Sequence, residues 1–270
     1  MENQMKQPEA PLSYRVEELW CQNEGRRIYG QAYIPEGAGP HPLVIYAHEL
    51  GYSHANGIPY ARRLAPAGFA VYLFDFCGGS IPSVENRSDG RLEDMTFHSE
   101  MGDLLAVLQA ARTWSFVDPE RILCLGASQG GGAAALVAGQ EPELLAGLML
   151  LYPAFSASDD VRAKFSSPDV IPERFHMFGH WIELGRQYGV ELWDMDFCRS
   201  LARYPRPFLL LHGDQDEIVD VSYARRAAEQ LPLCRLHIVH GGGHIFSGTP
   251  REEAIRWILD YLEPFRNPAP

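Results

Sequence analysis

A serine stands at the centre of a glycine-rich pentapeptide, Gly126-Ala-Ser128-Gln-Gly130. The pattern G-x-S-x-G is typical of a sharp strand-to-helix turn that lifts a serine hydroxyl clear of a sheet. Side chains two residues before or after such a serine would collide with the neighbouring strand and helix, which explains the glycines. The apolar run 122–125 predicts the strand, and the small residues 130–139 predict a tightly packed helix. Ser128 is therefore a candidate nucleophile, and this context disfavours a purely structural turn.

A serine hydroxyl is a poor nucleophile at neutral pH, so it needs a base within hydrogen-bond reach and an acid that orients the base. After an elbow of this kind, the expected chain order is serine, acid, histidine. Two histidines follow the last apolar run, His240 and His244. We favour His244 as the base, because three glycines precede it and can turn the chain back towards the elbow. His212, at the end of the previous apolar run, is expected to have a structural role.

Two aspartates, Asp214 and Asp216, are candidates for the acid. Asp214 directly follows a glycine and can hydrogen-bond the backbone of its own turn. Asp216 precedes the apolar pair Ile218-Val219, which can anchor it towards the sheet. The geometry expected of a triad favours Asp216. Asp214 stays the alternative.

Acyl transfer through a serine also needs N–H donors for the tetrahedral oxyanion. The first amides of a helix are unpaired, so the backbone of Gln129 is one predicted donor. The backbone of Leu50, in the turn after the apolar run 43–47, is the predicted second donor. Glu49 lies beside it, and a carboxylate facing the oxyanion would oppose catalysis. We therefore expect the Glu49 side chain to turn outward.

The elements that must position these residues alternate along the chain. Apolar runs predict strands at 14–21, 27–34, 43–47, 70–75, 122–125, 145–151, 207–212 and 235–239. Helical patterns cover 56–67, 96–113, 130–139, 221–231 and 250–264. The first two strands form a predicted hairpin. The rest predict an α/β fold with a mostly parallel central sheet and helices on both faces.

The alternation breaks once, and this break suggests the domain organisation. Residues 154–206 contain no strong strand pattern and many aromatic side chains, so we interpret them as a cap inserted into the domain. Residues 13–153 and 207–270 form the predicted core, and residues 1–12 a flexible N-terminal tail. A peripheral helical segment without ligand contacts is the alternative to a cap.

Composition narrows the classes of partner. The chain has 270 residues, of which 46% are hydrophobic and 21% charged, which is typical of a globular α/β domain. Its formal net charge of −12 argues against a nucleic-acid or anionic-membrane partner. The sequence contains no secretory signal pattern and no apolar stretch long enough to span a membrane. We therefore expect a small-molecule substrate, and a homodimer is compatible with the sequence.

The five cysteines are odd in number, scattered and without a C-x-x-C pair, which indicates reduced thiols in a cytoplasmic protein. No histidine pair has the H-x-x-x-H spacing with a nearby carboxylate that would indicate a metal site. We expect neither a metal nor another cofactor.

Six motifs lie within a stretch of resemblance that runs from about residue 14 to residue 262. They are Tyr46-Ala-His-Glu-Leu-Gly51, Phe74-Asp-Phe-Cys-Gly-Gly-Ser80, Ser88-Asp-Gly90 with Met95-Thr96, Gly126-Ala-Ser-Gln-Gly130, His212-Gly-Asp-Gln-Asp216 and Gly243-His-Ile-Phe246. The set resembles that of bacterial α/β-hydrolase serine esterases and is most similar to the cinnamoyl or feruloyl esterase group. The resemblance implies an α/β-hydrolase fold with an inserted cap. It also implies a triad of Ser128, Asp216 and His244, with oxyanion amides from Leu50 and Gln129.

The resulting expectation is a serine carboxylic ester hydrolase that works through an acyl-enzyme. An aromatic-rich cap would suit a hydroxycinnamoyl or other small apolar acyl ester, with Trp181 and Tyr188 as predicted substrate contacts, although such residues often form only a cap's own core. One alternative is a serine peptidase or acylaminoacyl-type hydrolase of the prolyl oligopeptidase kind, which the lack of a preceding propeller disfavours. A dienelactone-type hydrolase is disfavoured because the elbow carries no cysteine nucleophile. From another class, a non-catalytic ligand-binding homologue is disfavoured because all three triad residues are present.

Overall fold

The computed structural model describes residues 13–37, 39–178 and 181–266, and the predicted tail at 1–12 lies outside these ranges. The strands are β1 (Tyr14–Asn23), β2 (Arg26–Pro35), β3 (His41–Ala47), β4 (Ala70–Phe74), β5 (Val117–Ala127), β6 (Gly147–Leu151), β7 (Arg174–Met177), β8 (Ile182–Gly185), β9 (Phe208–Gly213) and β10 (Cys234–Val239). The α-helices are α1 (Ile58–Leu64), α2 (Phe97–Ala111), α3 (Ser128–Gln140), α4 (Ala157–Lys164), α5 (Arg186–Leu192), α6 (Phe197–Leu201), α7 (Ser222–Gln230) and α8 (Gly248–Arg266).

Eight strands form one sheet in the order β1-β2-β4-β3-β5-β6-β9-β10. β1 and β2 form the predicted antiparallel hairpin, and β2 also pairs antiparallel with β4. Every other pairing in this sheet is parallel. The carboxyl ends of β5, β9 and β10 therefore lie at the same edge, which is the edge that the predicted site requires.

Both faces of the sheet are covered by apolar side chains, as expected of a parallel sheet. Alternate residues of β3 show the period of two: Leu43 and Ile45 join one hydrophobic cluster with residues of α2 and α3. Val44 and Tyr46 join a second cluster with residues of α1 and α8. The predicted mostly parallel sheet with helices on both faces is confirmed.

Helix α2 differs from the pattern that its sequence suggested. Met101 and Leu105 lie at apolar positions of the helical pattern over 96–113, but both are only partly buried. Two acidic residues, Glu100 and Asp103, are fully buried on the inner face of the helix instead. Thr96 begins the helix with a capping box, in which its side chain accepts a hydrogen bond from the backbone of Ser99. Sequence periodicity missed the acids because it assigns charged residues to the solvent face.

The segment 154–206, in which the sequence showed no strong strand pattern, contains two short strands. β7 and β8 form an antiparallel hairpin that is separate from the main sheet. Each strand has only four residues, which is too short for a clear alternating pattern, although Phe175 and Met177 do alternate inward. The same segment contributes α4, α5 and α6. None of the helices in the described ranges has the length and apolar character needed to cross a bilayer.

Candidate active site

The turn between β5 and α3 has the strained backbone expected of an elbow. Ser128 has a φ of 50°, a left-handed conformation that is unusual for a residue with a side chain. A Cβ on Gly126 would lie 2.6 Å from the carbonyl oxygen of Gly130. A Cβ on Gly130 would lie 2.3 Å from the carbonyl oxygen of Ala47. Both glycines are thus required by close backbone approach, which leaves the serine hydroxyl at the sheet edge.

The structure brings the three predicted triad residues together. Ser128 Oγ lies 2.8 Å from His244 Nε2, and His244 Nδ1 lies 2.9 Å from Asp216 Oδ2. The three side chains come from the carboxyl ends of β5, β9 and β10, or from the loops that directly follow these strands. The Asp216 side chain is fully buried. This geometry allows the imidazole to accept the serine proton while the carboxylate holds its other nitrogen.

Asp216 is held by more than the imidazole of His244. Its Oδ1 accepts hydrogen bonds from the backbone amides of Ile218 and Val219, both at 2.9 Å. His212 Nε2 lies 3.2 Å from Oδ2 and 2.8 Å from the Val219 carbonyl oxygen. Burial alone would raise the pKa of Asp216, but the hydrogen bonds from His212 and His244 outweigh it and hold this pKa well below its usual range. Asp216 is therefore ionised whenever the protein is folded near neutral pH.

The alternative pair, Asp214 and His240, forms a separate contact on the surface. His240 Nδ1 lies 2.8 Å from Asp214 Oδ2, and the Gly241 amide donates to Asp214 Oδ1 at 2.7 Å. The His240 side chain is 83% exposed. Its hydrogen bond, followed by that from Gly241, holds the pKa of Asp214 below its usual value. Neither residue lines the pocket at Ser128.

Ser128 and His244 open onto a pocket of about 330 Å³. Leu50 and Gln129, the predicted sources of the oxyanion amides, both line it, and so do the predicted substrate contacts Trp181 and Tyr188. Trp181 is 49% exposed, whereas Tyr188 is buried. Most of the wall is apolar, with aromatic rings contributed by the segment 154–206. The pocket is thus of a size and polarity for a small organic substrate.

The side chain of Gln129 belongs to a buried network that the sequence did not reveal. Tyr188 donates its hydroxyl proton to Gln129 Oε1 at 2.7 Å, and Gln129 Nε2 donates to Glu100 Oε1 at 2.9 Å. Burial, opposed by the Gln129 hydrogen bond, raises the pKa of Glu100 to about 8. Glu100 Oε2 has no hydrogen-bond partner among the described residues. The one sequence feature that could have indicated this network is Glu100, an acidic residue at an inward position of the helical pattern of α2.

The expectation for Glu49 was wrong. Its side chain does not turn out to solvent but is only 3% exposed and lines the pocket. Tyr152 donates to Glu49 Oε1 at 2.9 Å, Tyr46 lies 3.2 Å from both carboxylate oxygens, and Asn56 Nδ2 donates to Oε2 at 3.2 Å. These neutral donors satisfy the carboxylate inside the protein, so it does not need water.

Within residues 13–37, 39–178 and 181–266, no group of three or more histidine, cysteine, aspartate or glutamate side chains is placed to hold a metal ion.

Solved structures resemble this chain over most of its length. The structure of Est1E from Butyrivibrio proteoclasticus with ferulic acid bound has a TM-score of 0.79, at 24% identity, and the match covers 90% of this chain and 98% of that one. The α/β hydrolase GrgF from Penicillium sp. sh18 has a TM-score of 0.75, at 14% identity, over 93% and 99% of the two chains. The predicted α/β-hydrolase fold is confirmed, and fold and site together define a hydrolase of this class.

The family follows from the sequence comparison. The model of the prolyl oligopeptidase family matches residues 60–266, and the chain belongs to this family. One relative is 2,6-dihydropseudooxynicotine hydrolase of Paenarthrobacter nicotinovorans, 29% identical over 88% of this chain. The chain spans only 62% of the length of that protein. Another is the putative carbamate hydrolase RutD of Caulobacter sp. strain K31, 26% identical over 82% of this chain and 80% of that protein.

Proposed function

We propose that this protein is a serine carboxylic ester hydrolase that acts on small-molecule esters through an acyl-enzyme. The observation that carries the proposal is the continuous hydrogen-bonded chain from Ser128 through His244 to the buried Asp216. Such a chain activates an alcohol that is otherwise unreactive at neutral pH. A ligand-binding protein would have no use for a strained serine with this support.

In the first half of the proposed reaction, Ser128 Oγ attacks the ester carbonyl carbon as His244 Nε2 accepts the hydroxyl proton. The carbonyl oxygen takes up the electron pair as an oxyanion, which the backbone amides of Leu50 and Gln129 stabilise. Collapse of this intermediate breaks the bond to the alcohol, and His244 returns the proton to the leaving oxygen. Each oxyanion donor of this kind is worth about 3 to 4 kcal/mol in the transition state.

In the second half, water attacks the acyl-enzyme while His244 accepts one of its protons. A second tetrahedral intermediate forms and collapses, the bond to Ser128 Oγ breaks, and His244 returns the proton to the serine. The carboxylic acid leaves and ionises near neutral pH. Asp216, ionised throughout, stabilises the imidazolium that forms in both halves.

The apolar wall of the pocket supports an acyl group that is small and largely apolar. Hydroxycinnamoyl esters are one candidate group, because the aromatic rings of Trp181, Tyr188 and Phe178 line the pocket and can pack against a planar acyl chain. The likeness to Est1E, whose structure holds ferulic acid, is consistent with this candidate.

A serine peptidase or acylaminoacyl-type hydrolase is the second candidate, and membership of the prolyl oligopeptidase family is the observation that favours it. The same triad can attack an amide carbonyl. The two candidates differ in the leaving group that His244 must protonate, an amine or an alcohol.

Matched substrates separate the two candidates. Each ester is compared with the p-nitroanilide of the same acyl group, and kcat/KM is corrected for the uncatalysed rate of each substrate. We expect p-nitrophenyl esters, and also methyl ferulate, to exceed the matching anilide in corrected kcat/KM by several orders of magnitude. Aminoacyl anilides that are cleaved as well as or better than the esters would reject the esterase proposal in favour of the peptidase. Intact mass spectrometry after rapid quenching should find the acyl group on the protein.

A further inference from the structure

The charged groups that line the active-site pocket are of one sign. Among the described residues, its lining includes two carboxylates, Glu49 and Asp160, and no lysine or arginine. Among the described residues of the lining, His244 is the only side chain that can become positively charged. The pocket therefore places negative charge around the position where Ser128 would hold a substrate.

Glu49 is hydrogen-bonded but not neutralised. Its three donors, Tyr46, Tyr152 and Asn56, are uncharged, and the side chain is almost completely buried. Glu49 and Arg251 both line an adjoining pocket, but the ion pairs among the described residues include none between these two side chains. A buried carboxylate of this kind costs free energy unless a cation comes close to it.

Asp160, on helix α4, is a second carboxylate of the pocket that has a hydrogen bond from a neutral donor but no ion pair among the described residues. Its Oδ2 accepts a hydrogen bond from Ser156 Oγ at 2.8 Å, and no described lysine or arginine forms an ion pair with it. Its neighbour Asp159 is different, because it forms an ion pair with Arg162 at 2.7 Å and accepts a hydrogen bond from the Tyr223 hydroxyl. Asp159 also lines another pocket. Of two adjacent aspartates, the one that lacks a cation is the one that faces the active site.

The remaining wall is suited to the same ligand chemistry. Aromatic rings of Tyr52, Phe178, Trp181 and Tyr188 line the pocket. Aromatic faces attract ammonium groups, and the attraction is larger in a site from which water is excluded. Carboxylates combined with aromatic faces recognise an organic cation and disfavour an anion.

We propose that the substrate of this pocket carries a cationic amine group, which is held by the carboxylates of Asp160 and Glu49 and by the aromatic wall. The inference rests on the proposed ester hydrolysis. It also accounts for a carboxylate next to an oxyanion site: a substrate cation offsets the repulsion between Glu49 and the oxyanion that forms at Ser128.

The test compares two acyl esters that have the same shape and differ in charge. They are the p-nitrophenyl esters of 4-(trimethylammonio)butyric acid and of 5,5-dimethylhexanoic acid, in which a quaternary nitrogen replaces a quaternary carbon. We expect kcat/KM for the cationic ester, corrected for the uncatalysed rates, to exceed that for the neutral ester by about tenfold or more at low ionic strength. The ratio should fall as salt is added, because ions screen the attraction.

Variants assign the preference to the pocket. Asp160→Asn keeps the size of the side chain and an oxygen for the Ser156 hydroxyl, and should lower the ratio about tenfold. Glu49→Gln should also lower it. Asp159→Asn makes the same change of net charge one residue away, outside the pocket, and should leave the ratio as in the wild type.

The possible failures are distinguishable. A wild-type protein that hydrolyses both esters but prefers the neutral one, or a ratio that Asp159→Asn lowers as much as Asp160→Asn does, would overturn the inference and leave the esterase proposal standing. Hydrolysis of neither ester, together with no labelling of Ser128 by a fluorophosphonate, would overturn the proposed function itself and the inference with it.

Discussion

Asp214 and Asp216 stand two residues apart and each contacts a histidine, yet only one of these histidines reaches the serine. His244 lies between Asp216 and Ser128, whereas His240 pairs with Asp214 on the surface. The difference is one of burial as well as of position. Asp216 is enclosed and held by backbone amides, and the His240 side chain is largely exposed to water.

Substitution of the two aspartates by asparagine should therefore have very different effects. Asp216→Asn removes the charge that fixes the His244 tautomer, and we expect kcat to fall by about 10⁴-fold. Asp214→Asn changes a surface contact of little energetic weight and should alter kcat by no more than about twofold. Steady-state kinetics with one p-nitrophenyl ester compares the two variants, with circular dichroism to show that both are folded. A larger loss in Asp214→Asn would assign the acid to the other residue.

At this scale the sequence predicted which side chains converge, but not how they are held. Asp216 was favoured on the geometry expected of a triad, with the apolar pair Ile218-Val219 expected to anchor it towards the sheet. In the structure it is their backbone amides that hold the carboxylate. The side chain of Glu49 was placed wrongly, because one of its donors, Tyr152, lies 103 residues further along the chain. No local pattern records a hydrogen bond of that sequence separation.

Among the elements, α2 departs most from its pattern, and the departure has a consequence for stability. Glu100 is fully buried, and this burial raises its pKa to about 8, well above the ordinary value of a glutamate carboxyl group. Because the folded state keeps a proton that the unfolded state loses, the contribution of Glu100 to stability is complete below the unfolded pKa. It is lost as the pH rises through about 8.

Glu100→Gln should remove this dependence, because glutamine has a similar shape and does not titrate. The free energy of unfolding of the variant minus that of the wild type should be larger at pH 9 than at pH 5, by on the order of 2 to 4 kcal/mol. Urea unfolding at both pH values measures it. Glu120→Gln, at an exposed acid, serves as the control and should follow the wild type. A variant with the same pH dependence as the wild type would show that Glu100 does not titrate in this range.

The other elements were predictable to different degrees. The β5 strand, the elbow and α3 follow from one apolar run and a set of small residues. The pair β7–β8 does not, because its strands are too short to show a period. The segment 154–206 reaches the site through Tyr188, whose hydroxyl contacts the Gln129 side chain, and no spacing in the sequence indicates that contact.

For the whole molecule, strand order explains why a triad could be predicted at all. Strands alternate with helices, so the strands run parallel and their carboxyl ends meet at one edge. Three residues far apart in the chain are brought to that edge by β5, β9 and β10. The substrate could not be predicted in the same way, because the wall of the pocket combines side chains from several loops with residues of the segment 154–206.

The central claim is that this arrangement makes Ser128 a nucleophile, and covalent labelling tests it most directly. A fluorophosphonate reacts with an activated serine and adds one phosphonyl group, which intact mass spectrometry and peptide mapping detect. We expect one equivalent on the wild-type protein, located at Ser128, and none on Ser128→Ala. Equal labelling of Ser128→Ala, or a folded wild-type protein that takes up no label, would contradict the account.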